Sequence, residues 1–236
     1  MKVIAISDVH TPQYLWMLKR KLEILDDDVD LIIGAGDLIY KGASLAINSL
    51  ASAIVQKFNK FVPFFTCFGN EEYFNIEPKL KELKYPIYLD MDFVSIGNPE
   101  WSIFFTRGIL AKPTAWQKRY IKNAEQVYEN KLIEIRSIIE NLRKKTDKIV
   151  YVSHYAPTYK TLEGENKESL ELLGSEKIEK IILEFDIPLA IHGHSHHSTN
   201  PIVNIGKSTI INAAIMVNKS IPIITLEDGV KVEYTG

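Results

Sequence analysis

The first third of the chain alternates short apolar runs with segments of helical spacing. The apolar runs predict strands and the spaced segments predict helices, in the order 3–7, 11–25, 30–34, 43–58 and 63–67. Thr11 is the predicted N-cap of the first helix, with Pro12 at its first helical position. A β-α-β-α-β order predicts a parallel sheet with right-handed crossovers.

The middle of the chain has a different pattern. Two strand-like runs at 92–97 and 101–107 flank Asn98-Pro99, which predicts a hairpin. Thr114 and Gln117 match a capping box, and apolar residues spaced by three and four predict that the helix they begin continues to about residue 145.

The last third returns to short apolar runs. We expect a loop at 158–169 and a helix at 175–185. Further strands are predicted at 148–153, 189–192, 201–205, 209–213, 221–226 and 230–234. Asp228-Gly229 is a hairpin turn signal between the last two strands. The whole pattern predicts an α/β fold.

Composition limits the class of protein. The chain has 236 residues, which favours a single domain spanning 1–236. The net charge of −2 gives no overall attraction to nucleic acid or anionic lipid, although a local basic groove stays open. Cys67 is the single cysteine, so internal disulfides and thiolate-rich zinc sites are excluded.

The same features bear on location. One cysteine fits a reducing compartment, and the first residues lack the layout of a signal peptide. No apolar run approaches the ~20 residues that cross a bilayer. We therefore expect a cytoplasmic protein with no membrane partner, and the sequence leaves its oligomeric state open.

Candidate chemistry lies in five polar clusters, each of which follows a predicted strand. They are Asp8-Val9-His10, Gly36-Asp37, Gly69-Asn70-Glu71-Glu72, Ser153-His154 and Gly193-His194-Ser195-His196. In open α/β sheets, ligands bind outside the carboxyl ends of the strands, so these clusters are expected to converge. Imidazole, carboxylate and amide groups without sulfur suit Mn, Fe, Zn, Co or Ni better than Ca. Two such ions close together need an anionic bridge, and Asp37 is the natural candidate.

These clusters resemble the motifs of the calcineurin-like metallophosphoesterase superfamily, which are D-x-H, G-D, G-N-H-D/E, a lone H and G-H-x-H. The resemblance covers the chain from Asp8 to His196, with the motifs in the same order. It implies a four-layer α-β-β-α sandwich in which helices flank mixed sheets. It also implies a dimetal phosphoesterase that acts on phosphate-ester substrates through attack of metal-bound hydroxide on phosphorus.

Residue roles follow from the resemblance position by position. Asp8, His10 and His196 would bind the first metal ion. Asn70, His154 and His194 would bind the second, and Asp37 would bridge the two. Catalytic roles are implied for Asp37 and Asn70.

One motif departs from the family pattern. The family has His after the Asn, where it helps to protonate the leaving group, but here that residue is Glu71. Glu72 matches the acidic residue that orients the missing His. Because a phosphodiester carries less charge than a monoester and its leaving group needs less acid help, we expect phosphodiesters to be preferred. Glu71 remains a candidate for a catalytic role, with a water-binding role as its alternative.

Several other residues are open to two interpretations. Arg107 follows a predicted strand and could contact a phosphate oxygen, but an exposed arginine is the commoner case. Tyr73, Phe74, Tyr155 and Trp116 suit either stacking on a substrate ring or packing near a cleft. His192 and Cys67 are expected in the core, and His197 at the rim or in solvent.

Two alternatives to the phosphodiesterase remain. One is a nuclease of the same metal class, which needs a basic or aromatic groove. The other is a non-catalytic scaffold that keeps the fold, which the replacement at Glu71 invites.

Overall fold

Two six-stranded sheets pack face to face in the computed structural model, which describes residues 1–234. The first sheet has the order β12-β11-β1-β2-β3-β4. Its strands are β1 (Lys2–Ile6), β2 (Leu31–Gly34), β3 (Phe64–Thr66), β4 (Ile87–Tyr88), β11 (Pro222–Leu226) and β12 (Val230–Tyr234). The neighbours from β1 to β4 pair in parallel, and β11 and β12 are antiparallel.

The second sheet has the order β5-β6-β7-β8-β10-β9. Its strands are β5 (Asp92–Ile96), β6 (Trp101–Thr106), β7 (Ile149–Ser153), β8 (Leu189–His192), β9 (Ile202–Ile205) and β10 (Ser208–Asn212). The four central strands run parallel, and β5 and β9 pair antiparallel at the two edges. Both sheets are therefore mixed, as the family resemblance implied.

Helices cover the outer face of each sheet. They are α1 (Leu15–Glu23), α2 (Ile47–Phe58), α3 (Glu77–Lys81), α4 (Ala115–Tyr120), α5 (Ala124–Arg143) and α6 (Glu176–Glu184). Short 3-10 turns at Ser44–Ala46, Lys160–Leu162 and Lys167–Leu172 complete the secondary structure of residues 1–234. Among residues 1–234, none of the helices has the length and hydropathy of a membrane span.

Alternation along β1 shows how the layers form. Val3 and Ala5 face the second sheet, where they belong to a core that also contains Ile103 and Val152. Ile4 and Ile6 face the opposite way, in a core with residues of α1 and α2. A third core joins the outer face of the second sheet to α5 and α6. These three cores separate four layers, so the predicted α-β-β-α sandwich is confirmed.

The predicted start of the first helix is wrong. Thr11 is not an N-cap, because its backbone N–H donates to the carbonyl of Leu38 at 2.9 Å and its own carbonyl accepts the N–H of Tyr40 at 3.2 Å. These bonds form an isolated parallel bridge between Thr11 and Ile39. The chain is extended there, and α1 begins at Leu15.

The predicted helix from Thr114 to about residue 145 is also wrong, because it is two helices. The capping box of Thr114 and Gln117 is present, but it begins only the six-residue α4. Ile121 is extended and Asn123 has a φ of 54°, in the left-handed region. The 20-residue α5, roughly 30 Å long, begins after this break. The sequence pattern also missed α3 and β4, which are too short to show a period.

The two sheets approach each other at one end. The backbone N–H of Ser7, directly after β1, donates to the carbonyl of Ala213, directly after β10, at 3.0 Å. Ser7 in turn accepts the N–H of Ile215 at 3.0 Å. The carboxyl ends of β1, β2, β3, β7 and β8 face this junction, and the five polar clusters follow those strands.

Candidate metal centre

Six of the seven predicted ligands form two groups of side chains at the junction of the sheets. Within each group the candidate ligand atoms lie within 4.8 Å of one another. The groups are Asp8, His10 and His196, and Asp37, His154 and His194. The first group contains the three residues that the family resemblance assigns to the first metal ion. The second contains His154 and His194, assigned to the second ion, together with the expected bridge Asp37.

The seventh residue, Asn70, lies against the second group. Its Oδ1 is 2.9 Å from Nε2 of His154, whose Nδ1 is 2.9 Å from the carbonyl of Ala35. Nε2 of His154 is also 3.5 Å from Oδ2 of Asp37. The same Asp37 oxygen is 3.9 Å from Nε2 of His10 in the first group. The Asp37 carboxylate therefore lies between a histidine of the first group and a histidine of its own group.

His10 provides a test of whether the groups fit a cation. Its side chain is buried, and neither ring nitrogen has a hydrogen-bond partner among the described residues. Its Nε2 stays 3.8 Å from Oδ1 of Asp8, too far for a hydrogen bond. An unpaired buried imidazole is costly unless another group binds it, so this position fits a metal ligand.

The backbone at the site is unusual. Asp8, His10, Asp37 and His194 have φ values of 57°, 42°, 49° and 69°, in the left-handed region that residues with a Cβ rarely adopt. Nine non-glycine residues in the described part of the chain have positive φ, so these four are a strong concentration. Such strain costs on the order of 1–3 kcal/mol per residue and clusters at functional sites.

Glycines before three of the motifs allow the close approach of the loops. A Cβ on Gly69 would overlap Oδ1 of Asp37. A Cβ on Gly193 would lie 2.5 Å from Oδ2 of Asp8 and would overlap the Ser7 hydroxyl. A Cβ on Gly36 would lie 2.8 Å from the backbone of Gly69 and from Nδ1 of His154, so all three glycines are required by the close packing of the motif loops.

Burial controls the charge of the imidazoles. It lowers the pKa of His10, lowers that of His154 well below its usual value, and lowers that of His194 to about 4. These rings are therefore neutral near pH 7, with a lone pair free for a cation. At His196 burial also acts to lower the pKa, but the hydrogen bond and negative charge of Asp8 outweigh it and raise the pKa.

The pKa values of the two aspartates shift in opposite directions. Burial acts to raise the pKa of Asp8, but the hydrogen bond from His196, 2.9 Å away, and the neighbouring imidazoles lower it overall. Burial raises the pKa of Asp37 well above its usual value, and the charges of Glu72 and Asp8 add to the effect. A carboxylate crowded by other carboxylates is stabilised by a cation.

Glu71 lies at the edge of the site. Its backbone N–H donates to Oδ1 of Asp37 at 2.7 Å, and its own Oε2 accepts the backbone N–H of Lys41 at 2.6 Å. Gly42 donates to its carbonyl at 2.9 Å. The carboxylate that replaces the expected His is thus held by the loop after β2.

Arg107 is not the exposed residue that its type suggested, since its side chain is buried. Nε donates to the carbonyl of Gly69 at 3.0 Å, and Nη2 donates to the carbonyl of Glu72 at 3.0 Å. Nη2 also pairs with Glu77 at 2.6 Å. The structure gives the guanidinium protein partners, and a contact with phosphate stays a prediction.

The aromatic candidates differ in exposure. Tyr73, Phe74 and Trp116 are exposed, whereas Tyr155 is buried with its ring centroid 5.0 Å from that of His194. The hydroxyl of Tyr155 accepts a hydrogen bond from Nε2 of Gln117 in α4 at 3.2 Å.

The remaining side chains near the motifs lie as predicted. Cys67 and His192 are buried, and His197 is exposed. Nε2 of His192 is 2.8 Å from the hydroxyl of Thr161, which gives this ring a role in the core.

Sequence reasoning missed Glu165. Its Oε1 accepts the hydroxyl of Ser195 at 2.7 Å and the backbone N–H of His197 at 2.9 Å, on both sides of His196. Glu165 lies 30 residues before Ser195 in a loop without periodic pattern, so no signal in the sequence points to it.

Two mixed sheets between helices, with two groups of candidate nitrogen and oxygen ligands where the sheets meet, are the architecture of a class of dimetal hydrolases. The calcineurin-like phosphoesterase family model matches residues 1–198. The chain belongs to that family.

Solved structures resemble the chain in fold. A dimetal phosphatase from Danio rerio aligns with a TM-score of 0.69 at 9% identity. The alignment covers 100% of this chain and 99% of the phosphatase chain. GAP50, the anchor in the inner membrane complex of Plasmodium, has a TM-score of 0.67 at 13% identity, with 99% and 84% covered. A phosphopantetheinyl hydrolase from Mycobacterium tuberculosis has a TM-score of 0.62 at 14% identity, with 90% and 88% covered. At these identities the likeness concerns the fold alone. No curated protein sequence matches the chain.

Proposed function

We propose that this protein is a dimetal-dependent phosphoesterase that prefers phosphodiesters. The observation that carries the proposal is the position of Asp37, whose Oδ2 lies 3.9 Å from His10 of the first group and 3.5 Å from His154 of the second. Asp8, His10 and His196 would bind one cation and Asn70, His154 and His194 the other, with Asp37 shared. Bound there, two divalent ions would supply a hydroxide nucleophile and Lewis acidity toward phosphorus. Manganese is our first choice of metal, and Fe, Zn, Co and Ni suit the same donors.

The preference for diesters is argued from Glu71. Its backbone N–H donates to Asp37 and its carboxylate accepts the N–H of Lys41, so a negative charge stands where the family has an imidazole. A monoester dianion meets more repulsion from this charge than a diester monoanion does. A diester with a good leaving group also needs no proton from this position.

The test compares the hydrolysis of two substrates by protein that has first been stripped of metal. Hydrolysis of bis-p-nitrophenyl phosphate and of p-nitrophenyl phosphate is measured with Mn²⁺, Fe²⁺, Zn²⁺, Co²⁺ and Ni²⁺ added one at a time. We expect turnover with at least one metal and a higher kcat/KM for the diester. No turnover with any metal would refute the enzyme, and a higher kcat/KM for the monoester would refute the preference alone.

A nuclease is a second candidate because one surface favours it. Residues 112–122 contain four cationic and no acidic residues. In α4 the rings of Trp116 and Tyr120 are exposed, with centroids 5.0 Å apart. Lys112 pairs with Glu171 and Lys118 with Glu125, which leaves Arg119 and Lys122 as cations of this surface without an ion pair among residues 1–234. Gln117 of the same helix is buried and contacts Tyr155, next to His154, so α4 packs near the candidate metal centre. Single-stranded nucleic acid is bound by this combination of positive charge and stacking rings.

Fluorescence anisotropy of a labelled single-stranded oligonucleotide tests the nuclease. Affinity that falls steeply with salt and weakens in Trp116→Ala would favour it. Equal affinity in Trp116→Ala would count against this surface, and the absence of binding at low salt would remove the candidate.

The scaffold alternative rests on the replacement at Glu71 and on the likeness in fold to GAP50, whose name describes an anchor. Metal content after purification separates the cases. Because every ligand position of the family pattern is filled in this chain, we expect close to two metal ions per chain. A metal-free protein that stays empty after incubation with Mn²⁺ would favour the scaffold.

We also propose that residues 1–236 form a single domain that works in the cytoplasm. The continuous core between the two sheets and the lone buried Cys67 support this. A single cooperative unfolding transition is expected, and two separated transitions would contradict it.

A further inference from the structure

Arg107 is buried directly after β6, between the two sheets. We infer that it is a positioning residue that holds the Asn70 loop against the His154 loop and so forms the second group of ligands. The inference rests on the proposed two-cation site. It concerns residues of this chain and not a contact with substrate.

The guanidinium brackets the loop that carries Asn70. Nε donates to the carbonyl of Gly69, one residue before Asn70, and Nη2 donates to the carbonyl of Glu72, two residues after it. Both distances are 3.0 Å. A guanidinium presents its donors in a rigid planar fork, so the two bonds set the orientation of the whole loop as well as its distance.

The backbone of Arg107 holds the other loop. Its carbonyl accepts the N–H of Tyr155, directly after His154, at 3.2 Å. Its own N–H donates to Oδ1 of Asp90 at 2.8 Å, and Asp90 also accepts Nζ of Lys131 at 3.3 Å. One residue thus contacts both the loop after β3 in the first sheet and the loop after β7 in the second.

The contact that depends on this brace is the one between Asn70 and His154. Oδ1 of Asn70 lies 2.9 Å from Nε2 of His154. Asn70 is in the loop after β3 of the first sheet, and His154 directly follows β7 of the second. The amide and the imidazole can share one cation only if the separation of their loops is held. Within residues 1–234, the hydrogen bonds of Arg107 do not reach the loops that carry Asp8, His10 and His196. The first group should therefore be independent of it.

The charge of Arg107 is compensated locally. A buried guanidinium is costly unless it is paired and hydrogen-bonded, and here Glu77 lies 2.6 Å from Nη2 while the ring of Phe74 lies 4.6 Å from the guanidinium carbon. Because Glu77 balances the positive charge, the side chain adds little repulsion toward a nearby cation. Its value to the site is geometric.

Titration of metal-free protein with Mn²⁺ tests the inference, with calorimetry for the affinities and electron paramagnetic resonance for metal–metal coupling. Wild type should bind two ions and show a coupled pair. Arg107→Gln should keep one ion at wild-type affinity, lose at least tenfold in affinity for the other, and show an isolated Mn²⁺ signal. Arg107→Lys should fall between the two, because an ammonium keeps the charge but lacks the fork.

Two controls separate positioning from loss of stability. Arg136→Gln removes an exposed arginine that pairs with Glu184, and Ile135→Val removes one methyl group from the core of α5. Both variants should retain two ions. This should hold even if the melting temperature of Ile135→Val is as low as that of Arg107→Gln.

Two ions bound by Arg107→Gln with wild-type affinities would overturn the inference. An equal loss of affinity for both ions that follows the melting temperature across all variants would also overturn it. If Arg107→Gln does not fold, unchanged affinity for both ions in Arg107→Lys overturns it instead. Wild type that binds two ions but hydrolyses no ester would refute the proposed function and leave this inference standing, whereas a wild type that binds only one ion would refute both.

Discussion

The carboxylate of Glu72 accepts the backbone N–H of Asp37 at 2.9 Å, which joins the loops after β2 and β3. Its oxygens also accept the N–H groups of Gly69 at 2.7 Å, Leu38 at 2.8 Å and Ile39 at 3.2 Å. One buried side chain therefore holds both the proposed bridge and the loop of Asn70 in place. It does so by accepting hydrogen bonds from four backbone N–H groups that take part in no strand pairing.

Glu72→Gln should destabilise this junction. One end of the amide would point a donor at a backbone donor, and a buried donor left without an acceptor costs about 1–3 kcal/mol. We expect the free energy of unfolding to fall by that amount in urea titrations, with weaker Mn²⁺ binding. Glu129→Gln, which changes an exposed carboxylate paired with Lys177, is the control and should leave both unchanged. Wild-type stability in Glu72→Gln would show that the four hydrogen bonds contribute nothing.

Asp37→Ala should abolish activity and lower metal binding to one ion or none. Without the carboxylate between the two groups, the repulsion between the cations is not offset. Metal content and hydrolysis of the diester measure the two effects. Asp228→Ala removes a fully exposed aspartate and should change neither. Full activity in Asp37→Ala would remove Asp37 as the bridge.

Glu71→His should raise the ratio of monoester to diester hydrolysis. An imidazole would remove the negative charge and supply a proton donor near the leaving group. Glu71→Gln separates these effects, because it removes the charge without adding a donor of suitable acidity. A rise in the ratio with His alone assigns it to the proton, and an equal rise with Gln assigns it to charge. An unchanged ratio in both variants would contradict a role for Glu71 in specificity.

Gly193→Ala should displace Asp8. The added Cβ would lie 2.5 Å from Oδ2 of Asp8, whose present partner is the N–H of His194 at 2.9 Å. We expect loss of the first metal ion and a drop in stability of about 1–3 kcal/mol. Gly229→Ala is a matched control, since nothing lies within 4 Å of a Cβ there. Two bound ions in Gly193→Ala would show that the loop moves without affecting the ligands.

His192 should contribute to a loss of stability of the metal-free protein in mild acid. Burial lowers the pKa of this histidine to about 4 from an ordinary value of 6.5. Between these values the unfolded chain binds more protons than the folded one, so stability falls as the pH drops from 6.5 to 4, by up to about 3 kcal/mol. His192→Gln should show a shallower pH dependence in urea titrations, whereas the exposed His197→Gln should match wild type. Parallel curves for wild type and His192→Gln would contradict this.

Much of the fold was predictable because it depends on local periodicity. Apolar runs located β1, β2, β3, β7 and β8, whose carboxyl ends carry the motifs. Periodicity failed where a tertiary contact overrode it. Thr11 pairs with Ile39 in place of capping a helix, and the left-handed Asn123 divides a continuous helical pattern. A local pattern contains no information about a partner that lies far along the chain.

The sequence by itself determined which residue types follow each strand, and therefore that Asp, Asn and His side chains would meet where parallel strands end. Only the tertiary structure decided that Glu72 ties two loops, that Glu165 holds the loop of His196, and that Arg107 is buried between the sheets. Strand order and residue type are local properties of the chain. These contacts join residues about 30 or more positions apart with no shared period, so they exist only once the sheets have packed.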